Sequence, residues 1–182
     1  KMEQIPFPNK KYQIIYADPP WQYNDKMAGH SFSLDHEYET QSTQWISKLP
    51  VQEISEDTCC LFLWVTSPLL DEGIKVLSDW GFKYKTVAFC WSKETVNGKD
   101  VSNLGRWTMG NVELCLLGVK GSPNSWRIDK SIKQLVRAVR TKHSKKPDIV
   151  RENIVKLLGD RPRIELFARQ KTEGWDVWGN EV

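Results

Sequence analysis

Residues 12–21 read YQIIYADPPW, an apolar, β-rich run that stops at Asp18-Pro19-Pro20-Trp21. A short continuous apolar stretch of this kind predicts a buried strand over Tyr12–Ala17. The prolines end it, because proline cannot donate to a ladder and restricts the residue before it. Similar runs recur at Cys59–Thr66 (CCLFLWVT), Tyr84–Trp91, Val112–Val119 and Arg163–Ala168 (RIELFA). Helical spacing lies between them. Leu70, Ile74 and Leu77 continue to Trp80, with Ser67 as the expected cap, Pro68 in the first turn and Gly81 past the end. Pro147 opens another helix, with Ile149, Val150, Ile154, Leu157 and Leu158 on one face and Gly159 beyond it. Thr43 to Lys48 predicts a short helix entered from Ser42 or Thr43, while Leu135–Val139 fits strand or helix. Strands separated by helices predict an α/β fold, a mostly parallel sheet flanked by helices. Ligands bind such sheets beyond the carboxyl ends of the strands, and Asp18-Pro19-Pro20-Trp21 stands at one of them.

A length of 182 residues fits one domain over residues 1–182. The connecting stretches are too short to hold a separate target-recognition domain. No apolar run approaches the roughly 20 residues of a membrane span. The four cysteines, Cys59, Cys60, Cys90 and Cys115, lie inside apolar runs without metal-ligand spacing. They read as buried free thiols, as in a reducing cytoplasm, and no metal is expected. No G-x-G-x-x-G occurs, so a glycine-loop dinucleotide site is unsupported. Net charge is only +3, but residues 127–151 hold Arg127, Lys130, Lys133, Arg137, Arg140, Lys142, Lys145, Lys146 and Arg151 against Asp129 and Asp148. This strip fits either a solvated basic face or a set of phosphate contacts.

Two long polar stretches, residues 22–40 and 92–110, read as loops of the kind that act as lids or binding segments. In the first, His30 and His36 are either substrate contacts or solvated. In the second, Lys93 and Arg106 are candidate backbone contacts and Trp107 a candidate stacking surface for a flanking base. Glu113, after Gly110-Asn111, is a candidate to face the same site. Most of the nine tryptophans belong in the core.

Asp18-Pro19-Pro20-Trp21 also holds the parts that methylation of an aromatic amine requires. The lone pair of such an amine is delocalised into its ring. Two fixed acceptors for its N–H groups favour a pyramidal nitrogen and align it with the methyl donor. Asp18 offers a carboxylate and Pro19 a carbonyl, held by a stiff backbone. Trp21 and Tyr23 offer π-faces to an extruded base. Spacing alone favours the plainer reading, a strand-ending turn with a core tryptophan.

The order of motifs goes further. ADPPW after an apolar strand, His143-Ser144-Lys145-Lys146-Pro147 before a helix, Glu165-Leu166-Phe167-Ala168-Arg169, Gly174-Trp175 and Trp178-Gly179-Asn180-Glu181 follow one another from about Tyr12 to the C-terminus. In that order they resemble the adenine-N6 methyltransferase family that includes the eukaryotic mRNA methyltransferase, the MT-A-seventy family. The resemblance implies a Rossmann-like, circularly permuted methyltransferase fold, with the catalytic motif before the motif for S-adenosylmethionine (SAM). It implies that Asp18, Pro19, Pro20 and Trp21 hold and stack the target base, with Tyr23 beside them. Asp18 would also lie near the SAM ammonium, and Lys146 would meet the methionine carboxylate. His143 would position SAM or a phosphate. Glu165, Leu166, Phe167 and Arg169 would line the adenosine half, with Asn180 and Glu181 on its ribose or base. Position 181 is often Gln in relatives, which puts that contact in doubt. Phe167-Ala168-Arg169 stands where many SAM enzymes carry glycines. The expected substrate is adenine in DNA, ahead of RNA. A bacterial or phage-infected cytoplasm fits a domain lacking the extensions and zinc fingers of the mRNA enzyme. A homodimer or a second methyltransferase-like subunit is a family-level expectation. A catalytically silent nucleic-acid-binding partner is the reading from another class, and silent relatives usually lose the Asp18-Pro19-Pro20-Trp21 motif.

Overall fold

The structure, a computed structural model, describes residues 5–22, 40–141 and 145–182. Its seven strands are β1 (Tyr12–Ala17), β2 (Ser55–Thr66), β3 (Lys83–Glu94), β4 (Val112–Lys120), β5 (Leu135–Val139), β6 (Arg163–Leu166) and β7 (Asp176–Trp178). They form one sheet in the order β5-β3-β4-β2-β1-β6-β7. Every neighbouring pair is parallel except the two that involve β4, which runs against β2 and β3. The mostly parallel sheet expected from the sequence is therefore present, with one reversed strand inside it.

The central strands are buried on both faces, which is why they read as unbroken apolar runs. Along β2, Cys59, Leu61, Leu63 and Val65 pack into one core, and Cys60, Phe62 and Trp64 into the other. The first core is covered by α1 (Thr43–Ser47) and α2 (Leu70–Asp79) through Ile46, Val76 and Leu77. The second is covered by α3 (Asp148–Leu158) through Val150, Ile154 and Leu158. Burial pushes the Cys60 thiol up to about 12, so the cysteines are inert packing groups.

Element ends differ from expectation for identifiable reasons. Ser42 caps α1, its hydroxyl accepting from the Trp45 N–H at 3.1 Å. Ser67 does not cap α2. It lies inside a 3-10 turn, Ser67–Leu69, that leads into a helix beginning at Leu70 with no side-chain cap. β2 starts at Ser55, ahead of its apolar run, because backbone pairing with Tyr12 begins there while Glu56 and Asp57 face solvent. Leu135–Val139 resolves as a strand. β7 is too short for periodicity to announce.

Candidate active site

The carboxyl ends of β1, β2, β3 and β6 lie on one edge of the sheet, and the reversal of β4 brings its first residues to that same edge. Asp18 follows directly on β1 and Glu113 is the second residue of β4, paired across to Thr66 and Trp91. Lys146 arrives from the segment before α3. Its ammonium lies 3.1 Å from Asp18 Oδ2 and 3.4 Å from Glu113 Oε1, over the Trp64 ring at 5.6 Å. Lys93, near the end of β3, completes the row at 3.1 Å from Glu113 Oε2. Two carboxylates and two ammoniums thus alternate in a nearly buried, charge-balanced chain. Burial pushes the Asp18 carboxyl up, with Lys146 opposing and Glu113 reinforcing the effect. Burial works to lower the Lys146 pKa, but Asp18 and Glu113 outweigh it and hold the ammonium above its ordinary value.

The proline turn is rigid and already partly engaged. The Trp21 N–H donates to the Pro19 carbonyl at 2.9 Å, and the Gln41 N–H to the Pro20 carbonyl at 2.9 Å. A carbonyl has two lone pairs, so Pro19 keeps capacity for a second donor. Trp21 is only 7% exposed and its indole N–H donates to the Trp64 carbonyl at 2.9 Å. Its ring is a core member that pins the turn, with little of its face open to a base.

Beside Asp18 runs a narrow cleft, with room for only about 20 Å³, lined by Tyr16, Lys146, Glu165, Phe167 and Arg169 among others. Glu165, on β6, accepts from Arg151 Nε at 2.8 Å, and the same guanidinium grips Asp148 at 3.0 and 3.1 Å. Burial raises the Glu165 pKa against the pull of Arg151. Phe167 has φ +60, a left-handed conformation that side chains resist. The backbone here does what glycine does elsewhere, and the Phe167 ring is held edge-on to Trp178 at 5.2 Å. Leu166 is wholly buried, and its carbonyl accepts from the Asp18 N–H at 3.5 Å. Asn180 and Glu181 are exposed at the rim, with Glu181 4.0 Å from Arg169.

Several sequence expectations change on this view. Lys146 and Arg151 do not belong to an outward phosphate strip. They face inward and pair with Asp18, Glu113, Glu165 and Asp148, whereas Arg127, Lys130, Lys133, Arg137 and Arg140 are exposed. Lys93 lies beside Glu113 in the charged chain, not on the open loop. Arg106 and Trp107 are exposed in that loop, apart from the chain. Tyr23, His30, His36, Lys142 and His143 fall outside the described residues. The function of Arg151 as a clamp on Glu165 had no sequence signal beyond the spacing of Asp148 and Arg151 on one helical face.

Comparison with known proteins places this geometry. A family model described as MT-A70 matches residues 12–181. A type II methyltransferase, M.MunI of a Mycoplasma species, is 38% identical over 191 residues, covering 96% of this chain and 79% of that protein. The N(6)-adenosine-methyltransferase catalytic subunit METTL3 of Homo sapiens is 28% identical over 176 residues, covering 94% of this chain and 28% of its own length. An MT-A70-like N(6)-adenosine-methyltransferase of Arabidopsis thaliana is also 28% identical, with 94% of this chain and 24% of that protein covered. The chain thus spans about a quarter of these adenosine methyltransferases. With a match over nearly its whole length, the chain belongs to the MT-A70 family of methyltransferases.

Proposed function

We propose that the chain transfers a methyl group from SAM to the N6 amine of adenine in DNA. The observation that carries this reading is Asp18, held on a proline-stiffened turn at the mouth of a cleft, with its carboxylate beside Lys146. Asp18 and the Pro19 carbonyl accept the two N–H groups of the amine and orient its lone pair into the cleft. The cleft's donor set fits SAM. Lys146 and Arg169 suit its carboxylate, Asp18 its ammonium, Glu165 a ribose hydroxyl and Phe167 an adenine face, with Leu166 contributing backbone and Asn180 and Glu181 the rim. When bound, SAM supplies an electrophilic methyl carried on a sulfonium. Asp18 steers the amine along the line of that methyl, and the amine proton leaves to water once the new bond has formed. Pro20 stiffens the turn and Trp21 locks it to Trp64. Lys93 pairs with one oxygen of Glu113 while Lys146 meets the other.

The preference for DNA rests on the match to a type II methyltransferase across most of that protein's length. RNA is the second reading, favoured by the names of the adenosine methyltransferases that match over a shorter share of themselves. A second subunit or a homodimer would complete target selection. The test is incubation with labelled SAM and matched single-stranded DNA, double-stranded DNA and RNA, with Asp18→Ala as control. Label on adenine of DNA, lost in Asp18→Ala, is the expected result. Label on RNA alone moves the substrate. SAM binding without transfer on all three points to a missing subunit, and no SAM binding points to a silent family member.

A further inference from the structure

The segment joining β3 to β4 is rooted beside the site, since it leaves at Glu94 and returns one residue before Glu113. It is cross-tied at its base. Asn103 and Gly110 exchange two backbone hydrogen bonds of 2.8 Å, Arg140 donates to the Asn103 side chain at 3.1 Å, and Asn111 accepts from the Lys93 N–H at 2.9 Å. The turn at its tip is tight. A Cβ at Gly105 would meet the Thr108 carbonyl oxygen at 2.1 Å, so no residue with a side chain fits there without rebuilding the turn. This turn projects Trp107, 96% exposed, and Leu104, 88% exposed, with Met109 beside them. Arg106 stands next to Trp107, and no acidic residue lies between Asn103 and Gly110.

An outward tryptophan on a braced, cationic hairpin at the rim of a site calls for a partner that is both anionic and stackable. Two copies of this tip would set like charges against each other, whereas a nucleic-acid duplex offers phosphates to Arg106 and Arg140 and base faces to Trp107. The Asp18 side chain, at the sheet edge, is only 21% exposed, and an adenine inside a duplex reaches it only by leaving its stack.

We propose that the Asn103–Gly110 hairpin is a base-extrusion wedge: Trp107 enters the base stack of a double-stranded substrate and fills the place of the adenine that leaves for Asp18, while Arg106 holds a flanking phosphate. This rests on the adenine-methylation reading.

The test uses long mixed-sequence DNA, native and heat-denatured, with labelled SAM and the wild type, Trp107→Ala and Trp107→Phe. Thermal unfolding and sedimentation are run on each protein. Trp107→Ala is expected to lose about tenfold or more on native DNA and clearly less on denatured DNA, the size of one lost stacking contact. Trp107→Phe recovers most of the loss, and all three proteins unfold and sediment alike. Equal losses on both forms, or wild-type activity confined to denatured DNA, overturn the wedge. A change from dimer to monomer in Trp107→Ala overturns it too and gives the surface to a second copy. A wild type that labels no adenine in either form of DNA overturns the wedge, which needs a DNA substrate, and the RNA arm described above then decides whether the methylation reading stands.

Discussion

The ammonium of Lys146 stands 3.1 Å from the carboxylate of Asp18, so the two charged residues that the proposed reaction gives to cofactor and target base are also each other's partners. Removing Lys146 takes the nearest cation from Asp18, whereas removing Asp18 still leaves Lys146 paired with Glu113. The Glu113–Lys93 pair extends the same dependence across the sheet edge.

Lys146→Met leaves two buried carboxylates facing each other. A loss of about 3–5 kcal/mol of stability is expected, the usual cost of breaking a buried pair from one side. Urea unfolding measures it, and adding Glu113→Gln in the same chain returns part of the loss. A single variant as stable as the wild type would show that the charged chain does not hold this edge together.

Asp18 accepts an amine N–H most strongly as a carboxylate, and burial pushes its pKa up. Activity therefore falls, as pH drops, above the range of an ordinary aspartate near ~3.9. The stability sign is opposite. A raised native pKa means the folded state binds the proton more tightly, so the Asp18 contribution to folding is full below its unfolded pKa and is lost as pH rises through the folded one. The acidic limb of kcat/KM should thus appear with circular dichroism unchanged. In Lys146→Met the limb moves further up, since the opposing cation is gone. A limb that tracks unfolding would contradict this.

The exposed and buried cations of residues 127–151 should separate in salt titrations of DNA binding. Arg140→Ala is expected to lower the slope of log K against log salt by about 0.9, one phosphate contact. Arg151→Met leaves the slope unchanged, because its guanidinium is spent on Glu165 and Asp148, but costs about 3–5 kcal/mol of stability. A slope change in the Arg151 variant would place that side chain on the nucleic acid.

Trp21→Phe keeps the ring but strands the buried Trp64 carbonyl. A destabilisation of about 1–3 kcal/mol follows, together with slower methyl transfer from a loosened turn. Calorimetry and single-turnover kinetics read the two effects separately.

How far the sequence could be read depended on what each stretch had to satisfy. Strands buried on both faces, such as Ile14–Ala17 and Cys59–Val65, admit only apolar residues and so announce themselves. The start of β2 at Ser55 was hidden because backbone pairing there carries exposed polar side chains. The cleft's residues come from positions 16 and 18 and from positions 145–170, so their meeting was readable only through the ordered motifs. The inward aim of Arg151 was not readable, since a cation in a basic stretch looks the same whether it faces solvent or a buried carboxylate, and that of Lys146 was readable only through the ordered motifs. Glu113 was half visible: its place near the start of a strand was clear, but only the reversed direction of β4 brings that start to the site.

That reversed strand divides the labour of the sheet edge. The β1 and β6 ends carry the cleft, while the β3–β4 connection, which a parallel strand could not have placed there as a short turn-back, projects over the other side. Among the described residues the charged row from Asp18 to Lys93 links the two sides. On the proposed reading, target choice can drift by lengthening or replacing residues 95–111 while the cleft proposed for the methyl donor stays as it is. A loop graft between relatives is the natural way to retarget such an enzyme.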